Sequence, residues 1–343
     1  MKRNKIFILL LSFSILASGL LGCAKRKDTD SGDPTDSAQM TQSTERTDPA
    51  VEADDFSITV VDMTGREITL DEPATRVVAL TASDCEILYA VGAGDTLVGR
   101  GQYCDYPEEV LEVPAVESGA DTNLEQIIDL RPQVLLMSTM AQTEEQIAAL
   151  EAAGIKVVVS DAKDIEGVYE SITLIGTLMD KGNEASELID SMRESFAEIS
   201  SQSAGFEDKQ IYFEVSPLEF GLWTAGSDTF MNEIAEMIGL KNCFADVDGW
   251  AEISEEQVLE RDPDYIVTIA MYFGEGPQPD EEIKSREGWE NLTAVKNGAV
   301  LSFQNDELSR PGPRLVDGAK MLYEFVNEAA AEEVPSEVED LAS

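Results

Sequence analysis

Residues 123–137, NLEQIIDLRPQVLLM, are echoed at residues 254–269 as SEEQVLERDPDYIVTI. Both copies read Glu-Gln, two apolar residues, an acid, two further residues, a proline and then an apolar run. Glu125, Gln126 and Asp129 answer to Glu256, Gln257 and Glu260, and Pro132 answers to Pro263. Each copy predicts a short amphipathic helix that stops before the proline, because proline disfavours helical geometry in the residue ahead of it. The uninterrupted apolar run that follows predicts a strand buried on both faces. A chain that says this twice is constrained to two similar α/β units.

A second echo precedes each copy. Glu86 to Gly92 (EILYAVG) has the same Glu-to-Gly spacing as Glu233 to Gly239 (EIAEMIG). Two matches in the same order predict a long-period duplication of lobes rather than a solenoid. The length of 343 residues and the 43% hydrophobic content suit two cores of ordinary size.

Charge and one missing residue type remove whole classes of function. Net charge is −44, with 68 acids against 24 bases, so nucleic acid and anionic lipid are excluded as partners held by charge attraction. There is no histidine, which removes Ser-His and Cys-His catalysis and the commonest ligand of transition metals. An enzyme built on two such halves would need a nucleophile–base pair or ligand cysteines. The sequence offers neither, nor a Gly-x-Ser-x-Gly, phosphate-loop or dinucleotide fingerprint. No metal site and no resident cofactor are expected, and the chain is not read as an enzyme.

Residues 1–22 begin with Lys2, Arg3 and Lys5, continue through an apolar core and end in small residues, which is the pattern of a secretory signal. Residues 23–55 are rich in Ser, Thr, Asp and Glu and poor in large apolar residues, so they are expected to be a disordered acidic tether. Residues 330–343 are expected to form an acidic tail. Besides Cys23 the chain has Cys85, Cys104 and Cys243. Cys85 and Cys104 are read in neighbouring loops of one lobe and could pair in an oxidising compartment, and buried free thiols are an equal alternative.

The first lobe is expected over residues 56–164. It opens with a hairpin turning at Met63–Arg66, followed by strands near 76–80, 97–99, 133–137 and 156–160, alternating with helices. Such alternation indicates a parallel sheet. Residues 165–206 are read as connecting helices. Within them, residues 183–203 put Ala185, Leu188, Ile189, Met192, Phe196 and Ile199 on one face of a helix about 30 Å long, read as the bridge between lobes. The second lobe is expected over residues 207–329, with strands at 210–215, 265–269 and 299–303 and a last helix from about 314.

In open parallel sheets, ligands bind beyond the carboxyl ends of the strands. The loops expected there hold Ser83, residues 102–106, 138–140, 214–223, Trp250, 271–273 and 304–310. Aromatics are 7% of the chain, yet Tyr103, Tyr106, Phe220, Trp223, Trp250, Tyr272 and Phe273 fall in these loops. Arg310 and Arg314, in the loop Arg-Pro-Gly-Pro-Arg, are candidates to meet acidic groups of a ligand.

The sequence LLGC at 20–23, DMTGREITL, the Tyr-Cys-Asp-Tyr-Pro loop, NLEQIIDLRPQVLL, WTAGSDTF, GWAEISEEQVLERDPDYIV and RPGPR together resemble substrate-binding lipoproteins of bacterial ABC importers for ferric siderophores, haem and vitamin B12. The resemblance covers about residues 57–327. It implies a class III periplasmic-binding-protein fold: two Rossmann-like lobes with parallel sheets, joined by one long rigid helix. It also implies cleavage before Cys23 and acylation there, which places a monomeric protein outside the cytoplasm on a lipid anchor. The cargo would be an iron- or cobalt-containing chelate, a ferric siderophore or cobalamin, delivered to a permease dimer and its ATPase; haem is the alternative cargo. By the same resemblance, Glu86 and Glu233 would dock on permease arginines. Ser83, Tyr103, Tyr106, Trp223, Trp250, Tyr272, Arg310 and Arg314 would bind ligand. The family's vitamin B12 branch carries a Trp just before the NLEQ motif, where this chain has Gly119-Ala120-Asp121-Thr122.

Overall fold

The computed structural model describes residues 57–333, except 120–121, 140–142, 204, 271, 273–275 and 304–305. The signal segment, the Cys23 lipidation site, the acidic tether and residues 334–343 of the tail lie outside the described residues. Asp54–Ser343 forms one compact unit.

The chain enters through an antiparallel hairpin, β1 (Ile58–Val61) and β2 (Glu67–Leu70), at the expected position. Asp62 organises its turn. The buried Asp62 carboxylate accepts from the Thr64 and Arg66 amides, the Thr64 hydroxyl and the Arg66 guanidinium. Burial alone would raise the Asp62 pKa, but these donors hold it below the usual range. The hairpin then continues as β3 (Val77–Ala79), α1 (Ala82–Ala90), β4 (Leu97–Gly101), β5 (Ala115–Val116), α2 (Leu124–Leu130), β6 (Val134–Met137), α3 (Glu144–Ala152) and β7 (Lys156–Val159). The strands form a parallel sheet of order β5-β4-β3-β6-β7. Residues of β3 and β6 are buried throughout, as strands covered by helices on both faces must be. The exposed edge of β7 is covered by the hairpin, since the Val159 amide donates to Asp62 and the Met63 amide to the Val159 carbonyl.

Two helices follow, α4 (Ile165–Leu178) and α5 (Gly182–Gln202). They form a helical hairpin, with α4 packed on α1 and β1 of the first lobe and α5 packed on α4. Helix α4 thus packs with the first lobe, and α5 is the long bridge, touching both α4 and two helices of the second lobe. The buried face of α5 is Ala185, Ile189, Met192, Phe196 and Ile199, as the spacing predicts.

The second lobe comprises β8 (Gln210–Glu214), β9 (Leu222–Ala225), α6 (Phe230–Met237), β10 (Lys241–Asn242), β11 (Trp250–Ile253), α7 (Glu255–Arg261), β12 (Tyr265–Thr268), α8 (Pro279–Ser285), α9 (Thr293–Lys296), β13 (Val300–Ser302) and α10 (Leu315–Glu333). Helix α10 continues through the first residues assigned to a frayed tail. It packs against α5, which also touches α6. The sheet order is β11-β9-β8-β12-β13, with β10 beside β8. Here the expectation of parallel sheets needs correction. Strands β8, β12 and β13 are parallel, but β9 runs antiparallel to β8 and β11 antiparallel to β9. The four-residue strand β9 was hidden because its neighbours Pro217 and Gly221 read as loop, and a short turn there sends the chain straight back along β8.

The duplicated helix–strand unit falls in matching places. Helices α2 and α7 both end in a left-handed residue ahead of the proline, Arg131 at φ 48° and Asp262 at φ 42°. The residue after each proline caps the neighbouring strand. Gln133 accepts from the Thr75 and Arg76 amides at 2.8 and 3.1 Å, and Asp264 accepts from the Gln210 amide at 2.8 Å. One hydrophobic core runs from the first lobe through α4 and α5 into the second. A separate cluster covers the far face of each sheet. Cys85, within α1, and Cys104 and Cys243 are buried free thiols.

Candidate functional site

In both sheets the strand order reverses between two central neighbours, β3 and β6 in the first lobe and β8 and β12 in the second. The carboxyl ends of these strands open the crevices where open α/β sheets take ligands. Three groups of side chains gather there.

The first group is the loop after β4. A Cβ on Gly101 would stand 2.2 Å from the Leu80 carbonyl oxygen, so only glycine lets the loop pass so close to the end of β3. Cys104 is buried and its amide donates to the Gly101 carbonyl. With Cys104 turned inward, Tyr103 and Tyr106 are left 61% and 47% exposed.

The second group is the loop that leads from β13 into α10, and it crosses to the first lobe. Arg314 grips Glu86 side-on, Nε to Oε2 at 3.0 Å and Nη2 to Oε1 at 2.7 Å. Arg310 reaches the same Glu86 Oε1 at 3.3 Å, Asp105 Oδ1 at 2.6 Å and the Tyr103 carbonyl at 3.2 Å. Asp306 and Glu307 complete the cluster at 2.5 and 3.3 Å. The Arg314 guanidinium also lies over the Tyr106 ring at 4.1 Å. The side chains of Glu86, Arg310 and Arg314 are 2%, 12% and 11% exposed. Burial alone would lower both arginines, but the carboxylates around them hold both above their ordinary values. Ser83 is half-buried at this seam, and a Cβ on Gly312 would stand 3.7 Å from it and from the Glu86 carboxylate.

Two expectations bear on this clasp. Arg310 and Arg314, expected at the ligand, are engaged by the protein's own carboxylates. Glu86, expected to dock on a permease, has a side chain 2% exposed between the lobes. Glu233 is likewise employed inside the molecule. Its Oε2 accepts from the Ile165 amide at 2.7 Å, at the amino end of α4, and it is half-buried. Burial raises its pKa, the Ile165 bond opposes this, and Asp164, Glu236 and Asp228 add to the rise. Sequence reasoning saw each glutamate but not its partner, because every one of these contacts joins residues far apart in the chain.

The third group is aromatic. Trp223 and Trp250 stand on β9 and β11, not on loops as expected, and are 37% and 39% exposed. Trp223 pairs with Glu252 and Trp250 with Ala225, so both indoles leave the same face of the sheet as diagonal neighbours. Trp250 rests on Phe230 with ring centroids 5.6 Å apart. Phe220 is exposed nearby on the turn into β9, whereas Tyr272 is half-buried and its hydroxyl donates to the Gly276 carbonyl within its own loop.

An open depression of about 420 Å³ lies at the β8–β12 reversal, bordered by Glu214, Pro217, Leu218, Ala270, Pro277 and Glu282 among others. Glu214 and Glu282 on its border belong to a buried ion pair that the sequence did not reveal. Arg286 holds Glu214 through two bonds of 2.7 and 2.9 Å, and it also binds Glu282. Burial raises the Glu214 pKa and Arg286 opposes the rise. Among the described residues no cluster of three or more His, Cys, Asp or Glu could hold a metal ion.

Residues 77–307, from the first strand of one sheet to the clasp loop of the other lobe, match the periplasmic binding protein family. The chain belongs to that family. Like its other members, it is a solute-binding protein of the space outside the cytoplasm. It is 32% identical over 331 residues, 95% of this chain and 97% of the other, to an uncharacterised ABC transporter substrate-binding lipoprotein of Bacillus subtilis (strain 168). It is 28% identical over 253 residues, 73% of this chain and 89% of the other, to the vitamin B12-binding protein of Salmonella choleraesuis (strain SC-B67). Among solved structures, a possible iron-binding (periplasmic solute-binding) protein from Staphylococcus epidermidis ATCC 12228 superposes with a TM-score of 0.63 at 32% identity. That match covers 74% of this chain and 99% of the other.

Proposed function

We propose that this chain is the capture component of an ABC importer, taking a metal chelate between its two lobes and handing it unchanged to a permease dimer driven by its ATPase. The cargo is a ferric siderophore or cobalamin. The observation that carries the reading is the set of exposed aromatic side chains, Tyr103, Tyr106, Trp223 and Trp250, at the carboxyl-end face of both sheets. Aromatic faces leave much apolar area uncovered in a chain poor in aromatics, and a large chelate can cover it. Relatives named for vitamin B12 and iron support the same class of cargo. Acyl chains on Cys23 would hold the cleaved protein, whose charge is −44 − 3 = −47 once Lys2, Arg3 and Lys5 are gone, at a membrane its charge alone would avoid, and tethering raises its concentration near the permease.

Tryptophan fluorescence of the purified chain, titrated with cobalamin and ferric siderophores, tests the proposal. Saturable quenching at sub-micromolar ligand is expected, and it should lose most of its amplitude in a Trp223→Phe, Trp250→Phe double variant. Trp289 is fully buried, with its indole bonded to Glu255, and serves as the silent reference. A folded protein whose fluorescence ignores every chelate would defeat the proposal.

A further inference from the structure

The charge arrangement of the clasp bears on which chelate can enter, and the argument rests on the capture reading above. An acidic chelate needs a cation that is unengaged or cheaply released. The described residues of the loops at the carboxyl ends of the strands (81–84, 102–107, 138–139, 143, 160–164, 215–221, 269–270, 272, 276–278, 303 and 306–314) hold seven acids and three bases, Lys163, Arg310 and Arg314. Both arginines are spent. Two guanidiniums face the four carboxylates of Glu86, Asp105, Asp306 and Glu307, so the cluster already carries an excess of negative charge. Drawing Arg314 away to a ligand would leave Glu86 buried with half its partners gone, and an uncompensated buried charge is costly. Arg100, at the end of β4, donates into the Gly101 and Gln102 carbonyls. Lys163 is exposed, but it stands between Asp161 and Asp164 on the loop after the edge strand β7.

We infer that this cleft selects uncharged or cationic chelates and rejects acidic ones, and that Glu86 is the specificity-determining residue because it holds Arg314 side-on, the guanidinium with the fewest other carboxylates to occupy it. The exposed aromatics suit such a cargo, because stacking and apolar contact need no counter-charge. Asp105, 60% exposed at the rim, adds repulsion toward an approaching anion.

The test compares four probes on the full chain in detergent: cyanocobalamin and a ferric trihydroxamate, both uncharged, against a ferric tricatecholate and haem, both acidic. At low salt, wild type should bind an uncharged probe at least a hundredfold more tightly than either acidic one. Glu86→Gln removes the charged two-bond partner of Arg314, leaving it Glu307, and should raise the acidic-to-uncharged affinity ratio tenfold or more. Asp105→Asn, a rim change that leaves Glu86 in place, should raise it by a smaller factor and covers the case in which Glu86→Gln does not fold. Wild type that binds haem or the tricatecholate as tightly as the uncharged probes overturns the inference and leaves capture standing. An unchanged ratio in both variants also overturns it. No binding of any probe by any variant removes the capture reading and this inference together.

Discussion

The two lobes use matched positions for opposite ends. Helices α1 and α6 are both capped by a threonine, Thr81 or Thr229, and both stop at a glycine of positive φ, Gly92 or Gly239. The glutamate between cap and glycine leaves its own lobe in each case. Glu86 crosses to two arginines of the second lobe, and Glu233 crosses to the first turn of α4. Only the first crossing is a charge pair sealed from water. A second contrast lies at the strand ends. By the register that sets Val77 against Val134 and Ile211 against Tyr265, Leu80 of the first lobe answers to Glu214 of the second. One lobe closes the end of its central strand with a leucine, the other with a buried ion pair. Duplication preserved the frame, and the lobes diverged where charge is buried.

The largest break in that comparison is expected at Arg286. Arg286→Met should destabilise the protein by about 3–5 kcal/mol, since Glu214 is left buried without its cation. The double variant Glu214→Leu, Arg286→Met gives the second lobe the apolar strand end of the first and should recover most of that loss in urea unfolding. A double variant no more stable than the single one would mean the pair specifies the fold there.

Next in size is the pair of glutamate crossings. Arg314→Met should cost about 3 kcal/mol, the low end for a broken buried pair, because Arg310 remains on Glu86. Glu233→Gln keeps an acceptor for Ile165 and should cost about 1 kcal/mol or less. Equal losses, read from midpoints of chemical denaturation, would erase the proposed difference between a sealed and a half-open crossing.

A third effect concerns titration. Asp84 is buried at the third position after the Thr81 cap, where α6 carries Asn232 after Thr229. Burial pushes the Asp84 pKa up to about 6 from 3.8, against the Thr81 and Ser160 hydroxyls and with the help of Asp161. The folded state therefore holds this proton more tightly than the unfolded chain does. Its contribution to stability is greatest below about pH 4 and declines by roughly 2–3 kcal/mol as pH rises to 6 and above. Asp84→Asn copies the second lobe and should remove that portion of the slope. Matching pH profiles of stability for wild type and variant would show that Asp84 does not titrate there.

Much of the frame was legible because it is local. The helix–proline–strand unit, the hairpin at Met63–Arg66, the α5 face and the glycines closing α1 and α6 all follow from periodicity and from what Pro and Gly allow. Strand β9 escaped, since four residues with three buried, Leu222, Thr224 and Ala225, carry too little alternation to stand out from a turn. The aromatic positions were recognised as unusual, and their exposure agrees. The contacts of Glu86 were not legible, because a charge is defined by its partner and the two arginines on Glu86 lie more than 200 residues away.

Sequence alone determined that this chain repeats an α/β unit, lacks histidine chemistry and carries its spare aromatics near the strand ends. These properties depend on neighbours within a few residues or on composition. Only the tertiary structure decided that two arginines are already spent on Glu86, that Glu233 caps a helix, and that Arg286 neutralises a carboxylate beneath the second crevice. Electrostatic roles are set by distance and burial in space, and those exist only once the lobes have closed on each other.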